Sequence, residues 1–599
     1  MEVNSPTADS TAGSVDSLNP IRPRGIQHSI LHLLQGILTT ARCWWSICIC
    51  IAAIGLWANR YFIMSDGLSY LDIASEVNRG DLSALANPYW SPAYPAFIWI
   101  CMFLLRPSPA WEVPLLQLTN FLMFTLALAA FTVFLRSWTQ SIPEFERASS
   151  IDKGLITFFS FASFLCFTSY AIPFHLTTPD MLVEATVFIQ AAIGCRVTRA
   201  GAGWTHFIWL GALLGVGIYV KAALFPLAFA FIALLFVSMA WNSELPRRRQ
   251  LAYLALTTLI FAVVSMPLIV FMSAQQGRLT AGETGRLNYV WNVDKVTPDH
   301  VGWTGDTPPA FGTPLHPPRK LMEVPLVLEF ATPVGGTYPL WHSPAYWYAG
   351  INPVFNLHNQ LLAIRASLHA YLKIAIDLVG FTGGAILLFI LGMFKSRKTR
   401  RWRFSLLLVG WPLGAIAMYA IVTAEPRYVV AFLLILCLEI YRALIFRVER
   451  RVAIGVCAIV LLVALVPLAL SVAGSIGSAA QQLHHPKDVG YVIVGKNLGL
   501  LGLQPGDQVA VIGYAKNCYY ARYARLRVVA QIPTSEEFWR LDSTDEKRVL
   551  DRLTSIGVKA VIAVDRPASN QESGWSAVGM NAGASVSARM LQPASDAVH

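Results

Sequence analysis

Charge is scarce in this chain. Only 14% of its 599 residues are Asp, Glu, Lys or Arg, where soluble proteins carry roughly 25%, and 55% are hydrophobic. A disordered chain is excluded, and so is an ordinary soluble enzyme, whose water-exposed domains could not hide so much apolar surface. A cysteine framework is also lacking. Of nine cysteines, Cys43, Cys48, Cys50, Cys101, Cys166, Cys195, Cys437 and Cys457 lie in or beside apolar runs and only Cys518 in a polar region, so neither a disulfide scaffold nor zinc-ligand spacing exists. There is no G-x-G-x-x-G, no phosphate-binding loop, no internal repeat and no cleavable signal pattern. The net charge of +11 is gathered in short Lys/Arg clusters between apolar runs. That placement speaks of membrane topology rather than nucleic-acid binding.

What the chain does have is long apolar runs. A spanning helix needs about 20 mostly apolar residues, and eleven stretches qualify, near 41–63, 111–135, 154–173, 180–198, 204–220, 222–241, 251–272, 366–394, 403–423, 428–446 and 451–473. Residues 92–105 are apolar too, but short and proline-bearing, so they read as an interfacial or re-entrant helix. With them left out, Arg196 and Arg199, Arg247 to Arg249, Lys395 to Arg403 and Arg447 to Arg451 all face the cytoplasm. Arg22, Arg24 and Arg42 hold the N-terminus there. An odd number of spans then puts the C-terminus outside.

The expected fold class is a polytopic α-helical membrane protein of about 11 spans with a small C-terminal extracytoplasmic α/β domain. Residues 1–25 form a disordered cytoplasmic tail, 26–473 the transmembrane domain with extracytoplasmic loops 64–110 and 273–362, and 474–599 the α/β domain with a disordered end. In the last, 487–503 and 535–556 read as helices and 508–513, 526–531 and 558–564 as strands of a parallel sheet.

Charged groups near spans are costly and therefore informative. Asp66 and Asp72 lie just beyond the first span. Asp66 reads either as a helix cap or as a reactive group, and Asp72 as facing water. Asp180 opens the fourth span, again as a cap or a functional carboxylate. Glu184, one turn deeper, needs a polar cavity or a partner. Lys221 either snorkels to the interface or binds an anion, and Arg427 is a second cation on the side that positive charge avoids. Loop 273–362 holds eleven of the 34 prolines and an aromatic group including Tyr338, Trp341, Tyr346 and Trp347, which suits either the face of a sugar or a headgroup-level belt.

Taken in order, the motifs are D-x-x-x-Y-L-x-I-A from Asp66 through Tyr70 to Ala74, P-D at Asp180, Lys221 between two spans, and P-R-Y at Arg427 and Tyr428. Over roughly residues 41–446 this resembles the GT-C superfamily of polyprenyl-phosphate-sugar-dependent glycosyltransferases, in the branch with protein O-mannosyltransferases and the lipid A aminoarabinose transferase. The resemblance implies a bacterial inner-membrane enzyme that moves a sugar from a polyprenyl-phosphate donor to a lipid, glycan or protein acceptor beyond the membrane, with inversion. Asp66 would be its catalytic base and Asp180 a second catalytic carboxylate. Tyr70, Asp72, Glu184, Lys221, Arg427 and Tyr428 would serve the substrates, the two cations on the lipid phosphate. Gly67 stands where the family usually has a second acid. A divalent cation, Mg or Mn, is the one cofactor to weigh, and the residues show no metal site of their own. Two other readings use the same charges: a transporter or flippase of lipid-linked sugars, and a non-catalytic membrane protein with a partner-binding tail.

Overall fold

The computed structural model describes residues 40–591 apart from 143–144, 146–148, 200–201, 243–244, 297–312, 331–335, 340–343, 394–404, 446, 485–488, 514, 516–517, 568–573 and 582. The N-terminal tail, the Lys395 to Arg403 cluster and Trp341 thus lie outside the described residues.

Every one of the eleven apolar stretches carries a helix: α1 (Ala41–Ala58), α4 (Glu112–Thr139), α5 (Ser150–Ala171), α6 (Asp180–Val197), α7 (Trp204–Val220), α8 (Leu224–Asn242), α9 (Arg247–Gln276), the pair α11 (Leu357–Asp377) and α12 (Val379–Met393), α13 (Leu406–Ala420), α14 (Pro426–Ile445) and α15 (Arg450–His484). Between them come α2 (Ser65–Asn78), α3 (Ala93–Leu105) and α10 (Thr284–Asn292). Among the described residues seven helices are long and apolar enough to cross a membrane, or eight if the bent pair is one span, so this is a polytopic membrane protein.

The count of eleven also needs α6, α7 and α13. The first carries Asp180, Glu184 and Arg196, and the other two have 17 and 15 residues. At 13 residues, α3 is about 20 Å long, short of a ~30 Å hydrocarbon core. The stretch expected as one span at 366–394 starts earlier, at Leu357, and bends by 84° between α11 and α12. At the bend Tyr170 donates to Asp377 at 2.7 Å, while Thr382 Oγ1 donates back to the Ala375 carbonyl. The Thr382 bond takes over a freed backbone acceptor, which lets a helix break in this way.

The loop before α11 contains a two-residue antiparallel pair, β1 (Thr313–Pro314) with β4 (Tyr348–Ala349), and between them a hairpin, β2 (Arg319–Glu323) and β3 (Leu326–Glu329). The tail contains its three expected parallel strands, β5 (Gln508–Ile512), β6 (Arg527–Ile532) and β7 (Ala560–Val564), with α16 (Gly490–Leu500), α17 (Tyr519–Tyr523), α18 (Ser535–Trp539) and α19 (Ser543–Ser555). The sheet does not end there. Antiparallel strands β9 (Ala584–Met590) and β8 (Ser576–Asn581) extend it beyond β7. On the other side stands the loop's hairpin, giving seven strands in the order β2-β3-β6-β5-β7-β9-β8. A boundary at residue 474 therefore leaves two strands of the α/β unit in the preceding segment. Sequence alternation marked the strands but not this pairing, because β3 and β6 are about two hundred residues apart.

A buried cluster around Arg522 ties the sheet unit to the helices. Arg522 in α17 is buried and donates to Asp72 Oδ1 at 2.5 Å, Ser75 Oγ at 2.6 Å and Glu112 Oε2 at 2.9 Å. Arg525 adds a bond to Glu112 at 2.5 Å. The backbone N–H and hydroxyl of Thr337 donate to the same Asp72 carboxylate. Gly336, beside it, has φ +68°, and a Cβ there would stand 2.5 Å from the Asp72 carboxyl carbon. Only glycine fits a left-handed backbone this close to another group. Asp72, expected to face water and to serve the substrate, is instead 2% exposed and wholly occupied by the interface.

Candidate active site

Six of the proposed site residues converge. Asp66, Tyr70, Asp180, Lys221, Arg427 and Tyr428 all line one cavity of about 850 Å³, where α2, α6, α14 and the turn between α7 and α8 meet. Each element has a local reason for its position. Helix α2 starts at Ser65 with Met64 as N-cap and no side-chain capping bond, so Asp66 in its first turn is not the cap. Likewise α6 is preceded by Pro179 and has no side-chain cap. Asp180 accepts instead from Thr178 Oγ1 at 2.9 Å, from Lys221 Nζ at 2.6 Å, and faces Arg427 Nη1 at 3.7 Å. The Lys221 turn is held from outside by Ser91, whose hydroxyl accepts the Ala222 N–H.

Burial of these charges is tolerable only because they are mutually paired. Arg427 also donates to Glu425 at 2.6 Å and to the Tyr428 hydroxyl at 3.3 Å, and Lys221 Nζ lies 4.0 Å from the Tyr428 ring centre. Snorkelling into water is thus not what Lys221 does. Asp66 is half-buried, and desolvation pushes its carboxyl up to about 6, with Arg427 pulling against that rise and Asp180 adding to it. A carboxyl poised near 6 is mostly ionised at neutral pH yet basic enough to accept a proton.

A second acid at position 67 has no room. A Cβ on Gly67 would lie 2.5 Å from Thr177 Oγ1 and 3.1 Å from Ile63 Cγ1, because the start of α2 packs directly on the segment before α6. Asp180 is committed to two cations and Glu425 to one. Among the described residues no group of three His, Cys, Asp or Glu side chains converges as metal ligands. The described residues thus do not fit a divalent cation.

The remaining expectations fare differently. Glu184 is buried on α6 and accepts from Thr168 at 2.8 Å. It does not line the cavity. Tyr338 and Trp347 pack against Phe330 beside β3, and Tyr346 stacks on His316 at 4.6 Å. This aromatic group belongs to the interior of the loop and sheet rather than to a sugar platform or a membrane belt. Aromatics do line the cavity, but they are others: Tyr89 and Trp90 after α2, Trp291 on α10 and Tyr419 on α13, besides Tyr70. Tyr70 and Tyr89 both meet the Trp90 ring edge-to-face, at 4.8 and 4.9 Å. Trp90 is 4% exposed and its indole N–H has no acceptor among the described residues. The signal for these residues was the run Asn87-Pro88-Tyr89-Trp90-Ser91, where Asn87 Oδ1 accepts the N–H groups of Tyr89 and Trp90 and fixes the turn.

No protein-family model matches the chain, and no curated protein does. Solved structures do. ArnT from Cupriavidus metallidurans bound to undecaprenyl phosphate superposes with a TM-score of 0.52 at 12% identity, over 92% of this chain and 98% of that one. Its apo state gives 0.52 at 11% identity over the same shares. The Archaeoglobus fulgidus oligosaccharyltransferase, in complex with Zn and sulfate, gives 0.45 at 11% identity over 86% and 68%. The chain shares the fold of ArnT.

Proposed function

We propose that the protein is an inverting glycosyltransferase that moves a sugar from a polyprenyl-phosphate donor to an acceptor hydroxyl at the extracytoplasmic face of a bacterial inner membrane. Eleven crossings, with the N-terminus inside and the C-terminus outside, complete the reading. The observation that carries it is the convergence of Asp66 with Lys221 and Arg427 around a single aromatic-walled cavity. Undecaprenyl phosphate bound to ArnT, a protein of the same fold, is the pattern for the donor's lipid.

The chemistry follows from the charges. An acceptor hydroxyl attacks the anomeric carbon, its proton passes to Asp66, and the bond from that carbon to the phosphate oxygen breaks, leaving the electron pair on the phosphate. Lys221 and Arg427 stabilise the negative charge that gathers on the leaving phosphate. A lipid phosphate that leaves as an anion needs no general acid, so one carboxylate free to take a proton is enough. Asp180 is the positioning group, holding both cations at the cavity wall until the donor arrives. Tyr70, Tyr89 and Trp90 offer ring faces and one unmet N–H to a sugar.

The test is to incubate the purified protein with a panel of polyprenyl-phosphate sugars and measure release of the lipid phosphate. Release with one donor, abolished in Asp66→Asn, supports the reading. Release with none of them, while the protein is folded, rejects it.

A further inference from the structure

At the end of the bundle opposite the Asp66 cavity, α5, α14 and α15 enclose a second cavity of about 430 Å³, within the ~300–1,000 Å³ typical of small-molecule sites. Helix α14 runs from Arg427 in the first cavity to Leu438 in the second, about 17 Å along its axis, so the two are separate. The walls of the second are apolar, with Phe159, Leu438, Tyr441 and Leu461 among them. Its mouth is charged, formed by Asp152 at the start of α5, Arg442 near the end of α14 and Arg450 at the start of α15. From Asp152 to Ser160 the slot follows α5 for about 12 Å.

The charge at its mouth points to an occupant. Asp152 accepts from Arg450 at 2.7 Å, and Glu439 from Arg442 at 2.7 Å and Trp138 at 2.6 Å. Yet over residues 152–153 and 439–451, which end these helices, five cations accompany three acids. Arg450, 58% exposed at its side chain, stands at the mouth of a slot otherwise suited to hydrocarbon.

We propose that this slot binds one anionic glycerophospholipid, an acyl chain seated between α5, α14 and α15 and the phosphate held at Arg450 and Arg442. An excess of arginine at the membrane surface selects a net negative headgroup, since a zwitterionic one gains apolar contact but no net Coulombic attraction. The site is independent of the sugar-transfer reading, because it shares no residue with the Asp66 cavity.

Native mass spectrometry of the full-length, delipidated protein titrated with phosphatidylglycerol or phosphatidylcholine of the same acyl chains tests this. One phosphatidylglycerol per chain should survive conditions that strip the others, at least tenfold preferred over phosphatidylcholine. Arg450→Gln should reduce that preference fivefold or more with the melting temperature unchanged, since its ion pair is exposed. Ala458→Phe, at an exposed lining position, should remove the retained lipid whatever its headgroup. Should that variant melt early, Ile454→Trp, also exposed and lining, makes the same test. Equal retention of the two lipids, no lipid held beyond the annulus, or unaltered binding in folded variants would each overturn the assignment.

Discussion

Replacing Asp66 by Asn leaves the size of the side chain and the paired charges around it nearly unchanged while removing the one cavity carboxylate, among the described residues, not bonded to a cation. Because Met64, not Asp66, is the N-cap of α2, the substitution should cost little stability. Its effect on turnover should be the loss of general base catalysis, on the order of 10²–10⁴-fold. The pH dependence gives a second, sharper expectation. With the Asp66 carboxyl lifted to about 6 by desolvation, the base is ionised above that value and lost below it, so turnover should fall on acidification. Between the neutral plateau and pH 5 the wild-type rate should drop about tenfold, following the ionised fraction. Removing Arg427, which lowers that pKa, should move the acidic limb to higher pH. The assay is release of polyprenyl phosphate at saturating donor, with circular dichroism as the fold control. An Asp66→Asn protein that turns over at the unmodified rate, or a profile flat from pH 5 to 7, would refute the assignment of the base.

Lys221→Ala and Arg427→Ala should each raise the donor KM, and Lys221→Ala should do so without moving the acidic limb as far as Arg427→Ala does; a change confined to the acceptor KM would contradict the phosphate role. Gly67→Asp, which would bring a side chain into Thr177, should give an inactive protein rather than a metal-dependent one, and activity restored by Mg or Mn would show that the space exists. Arg522→Met leaves Asp72 and Glu112 buried without their shared partner and should lower stability by about 3–5 kcal/mol, read as an early thermal transition. A reporter active only outside the cytoplasm should be active when fused after residue 480 and silent after Arg249; the reverse pattern would invert the topology.

The positions of the membrane helices were legible in the sequence because each is a contiguous apolar run, and a run declares itself without its partners. Asp66, Asp180, Lys221 and Arg427 were legible for a related reason: an ionised group at a span end is costly wherever it packs. What local pattern could not reveal was the company each residue keeps. Asp72, two residues after Tyr70 in an exposed-looking loop, meets an arginine 450 residues away. Tyr346 and Trp347 have the composition of a sugar-binding surface and the environment of a loop interior. Arg522, in Tyr519-Tyr520-Ala521-Arg522-Tyr523, carries no motif, and the missing signal is purely three-dimensional.

The hold of Arg522 on α2 has a consequence for how the protein comes into being. Asp66 leaves the ribosome among the first tenth or so of the chain, whereas the arginine that anchors its helix follows 450 residues after Asp72, its partner on α2. At elongation rates of roughly 5–20 residues per second, α2 waits about 20–90 s before its anchor has even been synthesised. The strand β9, which pairs with β7 and carries the last strand of the sheet, β8, at its other edge, comes later still. Until Arg522 is made, α2 has no anchor, and a chain terminated before it never acquires the tether. The geometry of the Asp66 end of the bundle therefore depends on the chain being synthesised at least as far as Arg522.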